Sequence, residues 1–349
     1  MSKSVLMIFA MSIILLVTIN TGCSSDDNTV DGDIDSTEDG DDESVIDGDT
    51  DEETMPDGDE EVEIEQELDV VSACHTDIEV GEVQVFLSGL SGSEGIAFDG
   101  IDKMYITSGT KLLKYSADAS ENLVADVPKS IGMAFDSDGN AMLCGWGESD
   151  GTEEADRDGS VLKVTPAGEI TTLSENVIAN SNFISRTPWD TWLISDDMIP
   201  EIWEMTDTGE TSLWCEDVIS PNGMVFSQDG TKLYVAGTFE DDGPLYEITI
   251  AENKAGETKK LATLGDGWND GVFMDADGFV YVIANKAGKI FKVAEDGTFE
   301  LFVEKLFFPA SGAFGAGEGF DPCSIYVTSL LGDEVYRIGA GVEGHPLYK

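Results

Sequence analysis

Short apolar runs separated by polar turns recur along most of the chain. One unit appears six times: a small or polar residue, a short apolar run, a turn often built on Asp-Gly, and a second apolar run. Two copies are SEGIAFDGIDKMYITS from Ser93 and NDGVFMDADGFVYVIAN from Asn269. A second alternating pair of runs, such as KIFKVAEDGTFELFVEKL from Lys289, lies between these units. Because no segment beyond the N-terminal apolar run has a sustained 3.6-residue apolar stripe, the pattern predicts an all-β chain.

The spacing of the units indicates the architecture. We call the residue after the first polar position of each unit its marker. The markers are Glu94, Ile131, Asn182, Asn222, Asp270 and Ser311. Successive markers are 37 to 51 residues apart, which is the period of a four-stranded propeller blade. The sequence therefore predicts a six-bladed β-propeller with four antiparallel strands per blade, over residues 78–349.

The last repeat is short by one strand. EVYRI from Glu334 supplies its third strand, and GEVQVFLSGL from Gly81 has the pattern of a fourth strand directly before the first repeat. We expect this N-terminal strand to complete the last blade and close the ring, which leaves no open sheet edge. An open sandwich of similar strands would explain neither the period nor the split repeat.

The N-terminus resembles that of a bacterial lipoprotein. Lys3 precedes an apolar run, Val5 to Ile19, that is shorter than the roughly 20 residues of a membrane-spanning helix. The run leads into Asn20-Thr21-Gly22-Cys23, although Leu is more usual where Asn20 stands. We expect residues 1–22 to be a signal peptide and Cys23 to be lipidated, giving an exported protein anchored on the periplasmic or outer surface side. The alternative is an ordinary signal peptide with an incidental Cys.

Charge separates a linker from the folded part. Asp26 to Asp69 contains 23 acidic residues in 44 positions and no Lys, Arg or aromatic residue. Such a segment predicts a disordered linker, over residues 23–77. The whole chain has 18 Lys+Arg and 71 Asp+Glu, a net charge of −53. Binding to nucleic acid or to anionic lipid by charge is excluded, so contact with a membrane is expected through the lipid anchor only.

Five Cys are present. With Cys23 assigned to lipid, Cys74, Cys144, Cys215 and Cys323 remain, and they allow three disulfide pairings. Cys74 and Cys323 would both lie near the last blade, which favours a disulfide between them.

The markers are also candidate ligands. In a propeller, equivalent positions at the starts of the innermost strands converge on the axis. Five of the six markers carry oxygen, and two are acids, a set that suits a divalent ion such as Ca²⁺. A His-based zinc site is disfavoured, since His75 and His345 are the only two His. Asn-Gly and Asp-Gly could instead be simple turns, but Glu94 is harder to explain in that way.

The residues around the markers resemble a known family. Ser93-Glu94-Gly95, Asn182, Pro221-Asn222-Gly223 and Asp270-Gly271 are similar to motifs of the six-bladed propellers that include gluconolactonases, regucalcin and luciferin-regenerating enzymes. The resemblance implies a divalent metal, most often Ca²⁺, held by Glu94, Asn222 and Asp270. It implies that Asn182 contacts substrate or metal-bound water. We expect Asn180 and Ser311 to be further candidates for this contact. It also implies hydrolysis of a lactone or related ester, with Asp270 helping a water molecule attack the carbonyl.

Two departures from the family bear on the substrate. Asn180 stands where the lactonases often have Arg, and Phe183 follows Asn182 where Gly or Asp is common. Sugar-acid specificity therefore does not carry over.

Trp146, Phe239 and Trp268 are expected to line the entrance. Because the loops around them are acidic, a neutral or cationic small molecule is favoured as the substrate, bound by a monomer. Two other functions stay open: a non-catalytic binding or scaffold propeller with a degenerate axial site, and a lyase of the antibiotic-inactivating kind, which usually relies on an axial His.

Overall fold

The computed structural model describes Cys74 and residues 77–147, 157–265 and 268–348. The signal peptide, the lipidation at Cys23, nearly all of the acidic linker and His75 lie outside these residues. Within the described ranges, no helix is long and apolar enough to cross a membrane.

The described residues form six antiparallel sheets of four strands each, which confirms the all-β propeller. We number the blades by their innermost strands in chain order. Blade one contains β2 (Ser93–Phe98), β3 (Met104–Ser108), β4 (Lys111–Tyr115) and β5 (Glu121–Asp126). Blade two contains β6 (Ser130–Phe135), β7 (Ala141–Gly145), β8 (Ser160–Val164) and β9 (Ile170–Glu175). Blade three contains β10 (Ser181–Arg186), β11 (Trp192–Asp196), β12 (Glu201–Met205) and β13 (Thr211–Cys215). Blade four contains β14 (Pro221–Phe226), β15 (Lys232–Gly237), β16 (Pro244–Ala251) and β17 (Lys254–Thr263). Blade five contains β18 (Asn269–Met274), β19 (Val280–Ala284), β20 (Lys289–Val293) and β21 (Phe299–Glu304). Blade six contains β22 (Pro309–Phe314), β23 (Ser324–Ser329), β24 (Val335–Gly339) and β1 (Val83–Leu87).

Asp side chains set the turns between the first two strands of several blades. In blade two, Asp136 Oδ1 accepts hydrogen bonds from the N–H groups of Asp138 at 3.0 Å and Asn140 at 2.8 Å. Gly139 has a φ of 79°, a left-handed conformation that favours glycine. Asp275 has the same role in blade five. The Asp-Gly signals in the sequence are thus hairpin turns.

The core lies between neighbouring blades. Each of the six apolar clusters joins two successive blades, including the pair formed by the last and the first. Between blades one and two, the Tyr105 and Phe135 rings pack edge to face at 4.9 Å. Burial of a side chain of this size contributes about 1.5–3 kcal/mol to the free energy of unfolding. Since these side chains are buried between blades, each blade is stabilised mainly by its neighbours.

The ring closes as predicted, through the N-terminal strand. β1 pairs antiparallel with β24, with Val83 opposite Ile338 and Val85 opposite Tyr336. A disulfide joins Cys74, before β1, to Cys323, directly before β23, across 249 residues of sequence. The predicted pairing of these two Cys is confirmed, while Cys144 and Cys215 are free and buried.

We expect a Cys74→Ala/Cys323→Ala variant to unfold more easily, because the disulfide ties the closing strand to the blade that it completes. The free energy of unfolding should fall by about 2–4 kcal/mol, and the melting temperature by roughly 5–15 °C. Thermal melts with and without reductant measure this. Reductant should lower the melting temperature of the wild type and leave that of the variant unchanged. Equal melting temperatures for the two oxidised proteins would contradict the prediction.

Candidate active site

Every innermost strand is interrupted near its start. The pairing with the second strand shifts register between Ser93 and Ile96 in β2, and between Asn269 and Val272 in β18. The other four innermost strands shift at the equivalent place. The markers therefore lie in β-bulges, which leave the ladder and redirect side chains.

The strand register shows that the marker of blade six was assigned to the wrong residue. Pro309 pairs with Ser329 as Ser93 pairs with Ser108, so Ala310 is the residue equivalent to Glu94. Ser311, chosen from the sequence, is one residue too far along the strand. Its N–H donates to Thr328 Oγ1 at 3.1 Å, as the N–H of Gly95 donates to Thr107 Oγ1 at 2.8 Å.

The bulges bring the backbones of neighbouring blades into direct contact. A Cβ on Gly95 would lie 2.1 Å from the carbonyl oxygen of Ile131, and one on Gly223 would lie 2.3 Å from that of Asp270. Hydroxyl groups reinforce the contact: Thr107 Oγ1 donates to Ile131 O at 2.9 Å, and Thr328 Oγ1 to Glu94 O at 2.6 Å. The markers of successive blades are therefore fixed close to one another.

Two of the predicted site residues, Glu94 and Asp270, form an acidic cluster with Asp197, which the sequence analysis missed. Asp197 and Asp270 are buried and Glu94 is partly buried. Asn285 Nδ2 donates to Asp270 Oδ2 at 3.0 Å. The side chains of Asn182 and Asn222 favour the ionised forms of Asp197 and Asp270, respectively. The structure thus brings four of the predicted residues together: Glu94, Asn182, Asn222 and Asp270.

The surroundings of these acids oppose their negative charge. Burial, followed by the charges of Glu94 and Asp197, raises the pKa of Asp270 well above its usual range. Burial, followed by the charges of Asp196 and Glu94, does the same for the pKa of Asp197. Burial raises the pKa of Glu94 to about 7, against the opposing effect of Lys129. A cation among these carboxylates would relieve their repulsion and favour the charged forms.

Buried oxygens without hydrogen-bond partners test whether the site fits a metal. Asn222 Oδ1 and Asp197 Oδ1 are buried and have no partner among the described residues. Buried polar atoms are normally satisfied, and amide and carboxylate oxygens are the ligands that Ca²⁺ takes. In the part of the chain that the structure describes, no three His, Cys, Asp or Glu side chains form a metal site. A divalent ion would therefore need the amide oxygens as well as the acids.

Asp197 could have been found from the ends of the second strands. It directly follows β11, and Asn285, the partner of Asp270, directly follows β19. Trp146 and Thr238 occupy the same place after β7 and β15. The sequence analysis considered only the starts of the first strands.

Asn180 is fully buried, and neither polar atom of its amide has a hydrogen-bond partner within the described ranges. Its backbone N–H donates to Asp196 Oδ2 at 3.0 Å. The structure therefore places Asn180 beside Asp196, and no hydrogen bond to a described residue links its side chain to the acidic cluster.

Two of the three predicted entrance residues, Phe239 and Trp268, are in contact with each other. Phe239 and Trp268 pack edge to face at 6.2 Å, and the Trp268 backbone N–H donates to Thr238 O at 2.8 Å. Trp268 has a φ of 58°, an unusual conformation for a bulky residue and one that is commonest at functional sites. Trp146 lies in blade two, beneath the Lys129 ammonium at 4.7 Å from the ring centroid. Most of the acidic loop after Trp146, residues 148–156, lies outside the described residues.

A cavity of about 440 Å³ is lined by the innermost strands beyond the markers. Gly95, Phe183 and Ser311 line it next to the markers, and the C-terminal segment from Glu343 to Tyr348 lines it where those strands end. The His345 backbone N–H donates to the carbonyl of Met274, the last residue of β18, at 2.9 Å.

We expect Asp197→Asn to stabilise the metal-free protein. The pKa of Asp197 is raised in the folded state, so its contribution to stability falls as pH rises from the acid range through that pKa. An amide cannot ionise and removes this loss. At pH 8 in EDTA, the free energy of unfolding of the variant should exceed that of the wild type, and the difference should shrink as the pH is lowered into the acid range. Thermal or urea unfolding measures it.

Asp196→Asn is the matched control. The Asp196 carboxylate accepts hydrogen bonds from four backbone N–H groups, those of Ala179, Asn180, Met198 and Ile199. Burial raises the pKa of Asp196 as well, to about 6. An amide nitrogen in place of either oxygen would nevertheless lose two of these four hydrogen bonds, so this variant should be less stable than the wild type. An Asp197→Asn variant that melts at or below the wild-type temperature would show that the cluster is not strained by its charge.

Comparison with known proteins supports the resemblance. Residues 194–330 match the family model described as SMP-30/Gluconolactonase/LRE-like region. No curated protein gives a significant match. Among solved structures, a gluconolactonase from Xanthomonas campestris is 15% identical, with a TM-score of 0.61, and the match covers 74% of this chain and 89% of that chain. A luciferin-regenerating enzyme is 18% identical, with a TM-score of 0.61, and the match covers 77% of this chain and 98% of that chain.

A third similar structure is regucalcin from Agrobacterium tumefaciens, described as a calcium-binding protein. It is 18% identical, with a TM-score of 0.60, and the match covers 76% of this chain and 96% of that chain. At these identities the structures show the fold. Together with the family match, they confirm the resemblance to gluconolactonases, regucalcin and luciferin-regenerating enzymes: this chain is a six-bladed propeller with an SMP-30/Gluconolactonase/LRE-like region over residues 194–330.

Proposed function

We propose that the protein is a metal-dependent hydrolase of a lactone or related ester. The observation that carries this proposal is the axial cluster, where buried acids that repel one another lie with two unpartnered buried oxygens, Asn222 Oδ1 and Asp197 Oδ1. Such an arrangement is costly for stability alone and suits a cation. The gluconolactonase-like region supports a lactonase-type reaction.

Glu94, Asn222 and Asp270 would hold the ion, for which Ca²⁺ is the best candidate because all the donors are hard oxygens. When bound, the ion would polarise the substrate carbonyl and lower the pKa of a water molecule.

The protein's own groups would then move the proton. Asp270, as a carboxylate, would accept it from the attacking water, and the ring oxygen of the lactone would take it up as the carbon–oxygen bond breaks. The hydrogen bond from Asn285 to Oδ2 at 3.0 Å orients Asp270 for this role. The Asn182 amide, which contacts Asp197, can donate to a substrate oxygen.

A non-catalytic binding propeller is the second candidate. It is favoured by the two markers that offer no side-chain ligand, Ile131 and Ala310, both of which are buried. The lyase alternative has no support from His345, whose backbone bonds to Met274 at the end of β18 remote from Asp270.

The N-terminal features lead to a separate proposal. We propose that the mature protein begins at a lipidated Cys23 and that the acidic linker carries a monomeric propeller away from the membrane. Like charges extend such a linker.

Calcium should raise the melting temperature of the full chain, because an ion that binds only the folded state stabilises it. At a concentration 100 times the Kd, the gain is about 2.7 kcal/mol. Asn222→Ala and Asp270→Asn should lose most of this gain, and Asp270→Asn should also lower lactone hydrolysis by about 10²-fold or more. Thermal melts with Ca²⁺ or EDTA and a panel of lactones and esters measure the two effects.

The control for both variants is Asp296→Asn, which changes an acid in the turn between β20 and β21 and should respond to Ca²⁺ like the wild type. An undiminished calcium response in Asn222→Ala and Asp270→Asn would place the ion elsewhere. Calcium stabilisation without hydrolysis of any lactone or ester would favour the binding propeller.

Cys23→Ala should move the protein from the membrane fraction to the soluble fraction of the cell, because the lipid anchor is its expected membrane contact. Ser24→Ala, next to the lipidation site, is the control and should stay with the membrane. Immunoblots of the two fractions measure the distribution. A Cys23→Ala protein that remains in the membrane fraction would contradict lipidation at this residue.

A further inference from the structure

Two neighbouring blades carry an aromatic residue directly before the innermost strand. With Ala310 as the marker of blade six, the residue two places before the marker is Trp268 in blade five and Phe308 in blade six. The same place in blades one to four is occupied by residues without an apolar side chain, namely Gly92, Lys129, Asn180 and Ser220. These positions are therefore aromatic on one side of the axis only.

Hydrogen bonds tie Trp268 to the acidic cluster. The backbone N–H of Asn285 donates to the Trp268 carbonyl at 3.0 Å, while the side chain of the same Asn285 donates to Asp270 Oδ2 at 3.0 Å. Asp270 also follows Trp268 by only two residues. In blade six, the Leu330 N–H donates to the Phe308 carbonyl at 2.9 Å in the same way as Asn285 to Trp268. Both aromatic residues thus adjoin the strand ends that surround the site.

A second aromatic residue contacts each of these two. The Phe239 ring packs edge to face on Trp268 at 6.2 Å, and the Phe307 ring packs edge to face on Phe308 at 5.1 Å. We call these four residues the apolar arc. Phe239 is 39% exposed and Phe307 is 54% exposed. Single exposed apolar residues are common on protein surfaces, but a connected group of them beside a site indicates contact with a ligand.

The segment after β19 connects the two aromatic pairs. The Lys286 ammonium lies over the Trp268 ring, 5.1 Å from its centroid. Two residues further on, the Gly288 carbonyl accepts a hydrogen bond from the Leu306 N–H at 3.0 Å, and Leu306 directly precedes Phe307. The two pairs therefore belong to one strip along blades four to six.

The backbone at Trp268 and Phe308 suits glycine better than an aromatic residue. The φ angle is 58° at Trp268 and 42° at Phe308, in the left-handed region that favours glycine. The equivalent residue of blade one is in fact a glycine, Gly92, with a φ of 65°. Bulky residues in this conformation lower stability and are commonest at functional sites. The two aromatic side chains are therefore easier to explain by contact with a ligand than by stability.

We propose that the apolar arc is a subsite for a linear alkyl chain on the ligand of the axial site. The proposal rests on the proposed lactonase function and names its substrate class: a lactone or ester that carries an uncharged alkyl chain. A linear chain can contact both aromatic pairs, whereas a single ring can contact only one of them. An uncharged chain also avoids repulsion by a protein with a net charge of −53.

The test uses lactams, which resist hydrolysis by lactone chemistry: 5-propyl-, 5-pentyl- and 5-heptyl-2-pyrrolidinone. Binding of each is measured by titration calorimetry in Ca²⁺, with the full chain carrying Cys23→Ala so that no lipid or detergent competes for the chain. Full burial of a methylene is worth about fourfold in affinity. On the partly exposed arc we expect about twofold per methylene, or about 16-fold from propyl to heptyl.

Trp268→Gly and Phe307→Ala, made in the same protein, each disrupt one aromatic pair. Either should reduce the gain from propyl to heptyl to about fourfold or less, because half of the chain loses its contacts. Glycine suits the positive φ at position 268, so Trp268→Gly should fold, and thermal melts verify this. Trp268→Phe keeps an aromatic ring and should retain most of the gain.

Phe299→Ala is the matched control. Phe299 lies on the outermost strand β21, is 46% exposed and packs edge to face on Phe291 at 5.8 Å, much as Phe307 packs on Phe308. This variant should keep the full gain. A gain that survives in both Trp268→Gly and Phe307→Ala would place the chain elsewhere, the cavity beyond the markers included, and would overturn the proposal. An equal loss in Phe299→Ala, or no gain before substitution, would also overturn it.

Hydrolysis of 5-alkyl lactones by the same protein separates this proposal from the lactonase function. Hydrolysis without a gain in lactam affinity with chain length would reject the role of the apolar arc alone. A gain that depends on Trp268 and Phe307, without hydrolysis of any lactone or ester, would support the alkyl subsite and reject the lactonase function alone.

Discussion

The close approach of backbones at the axis is the constraint on which the rest of this structure depends. Gly95, Gly132, Gly223 and Gly271 each follow a marker, and a Cβ on any of them would lie within 3 Å of the marker carbonyl in the next blade. At these four positions a side chain would force the neighbouring backbone to shift. The bulge that creates it also takes the marker side chains out of the regular pleat. The bulges that allow the blades to pack at the axis therefore also position the side chains of the site.

The contact has an electrostatic cost. It brings Glu94 and Asp270 close enough to influence each other's ionisation, and Asp197 joins them from the second strand of blade three. Clusters of buried like charges destabilise a fold unless a cation or protons neutralise them. The remainder of the blade structure offsets this cost through apolar packing between blades, the closing strand and the Cys74–Cys323 disulfide. An acidic cluster of this kind is easier to explain by function than by stability.

Most of the fold could be predicted because its signals are local and repeated. The turn residues, the strand alternation and the missing fourth strand of the last repeat were sufficient for the blade number, the closure and the disulfide. The marker of blade six was misplaced because SGAFGAGEGF from Ser311 has no single polar residue before its apolar run, so only the strand register identifies Ala310. Asp197 was missed because its position, after a second strand, becomes axial only when two strands are seen together. The isolation of the Asn180 amide from the described residues depends on packing and has no signal in the sequence.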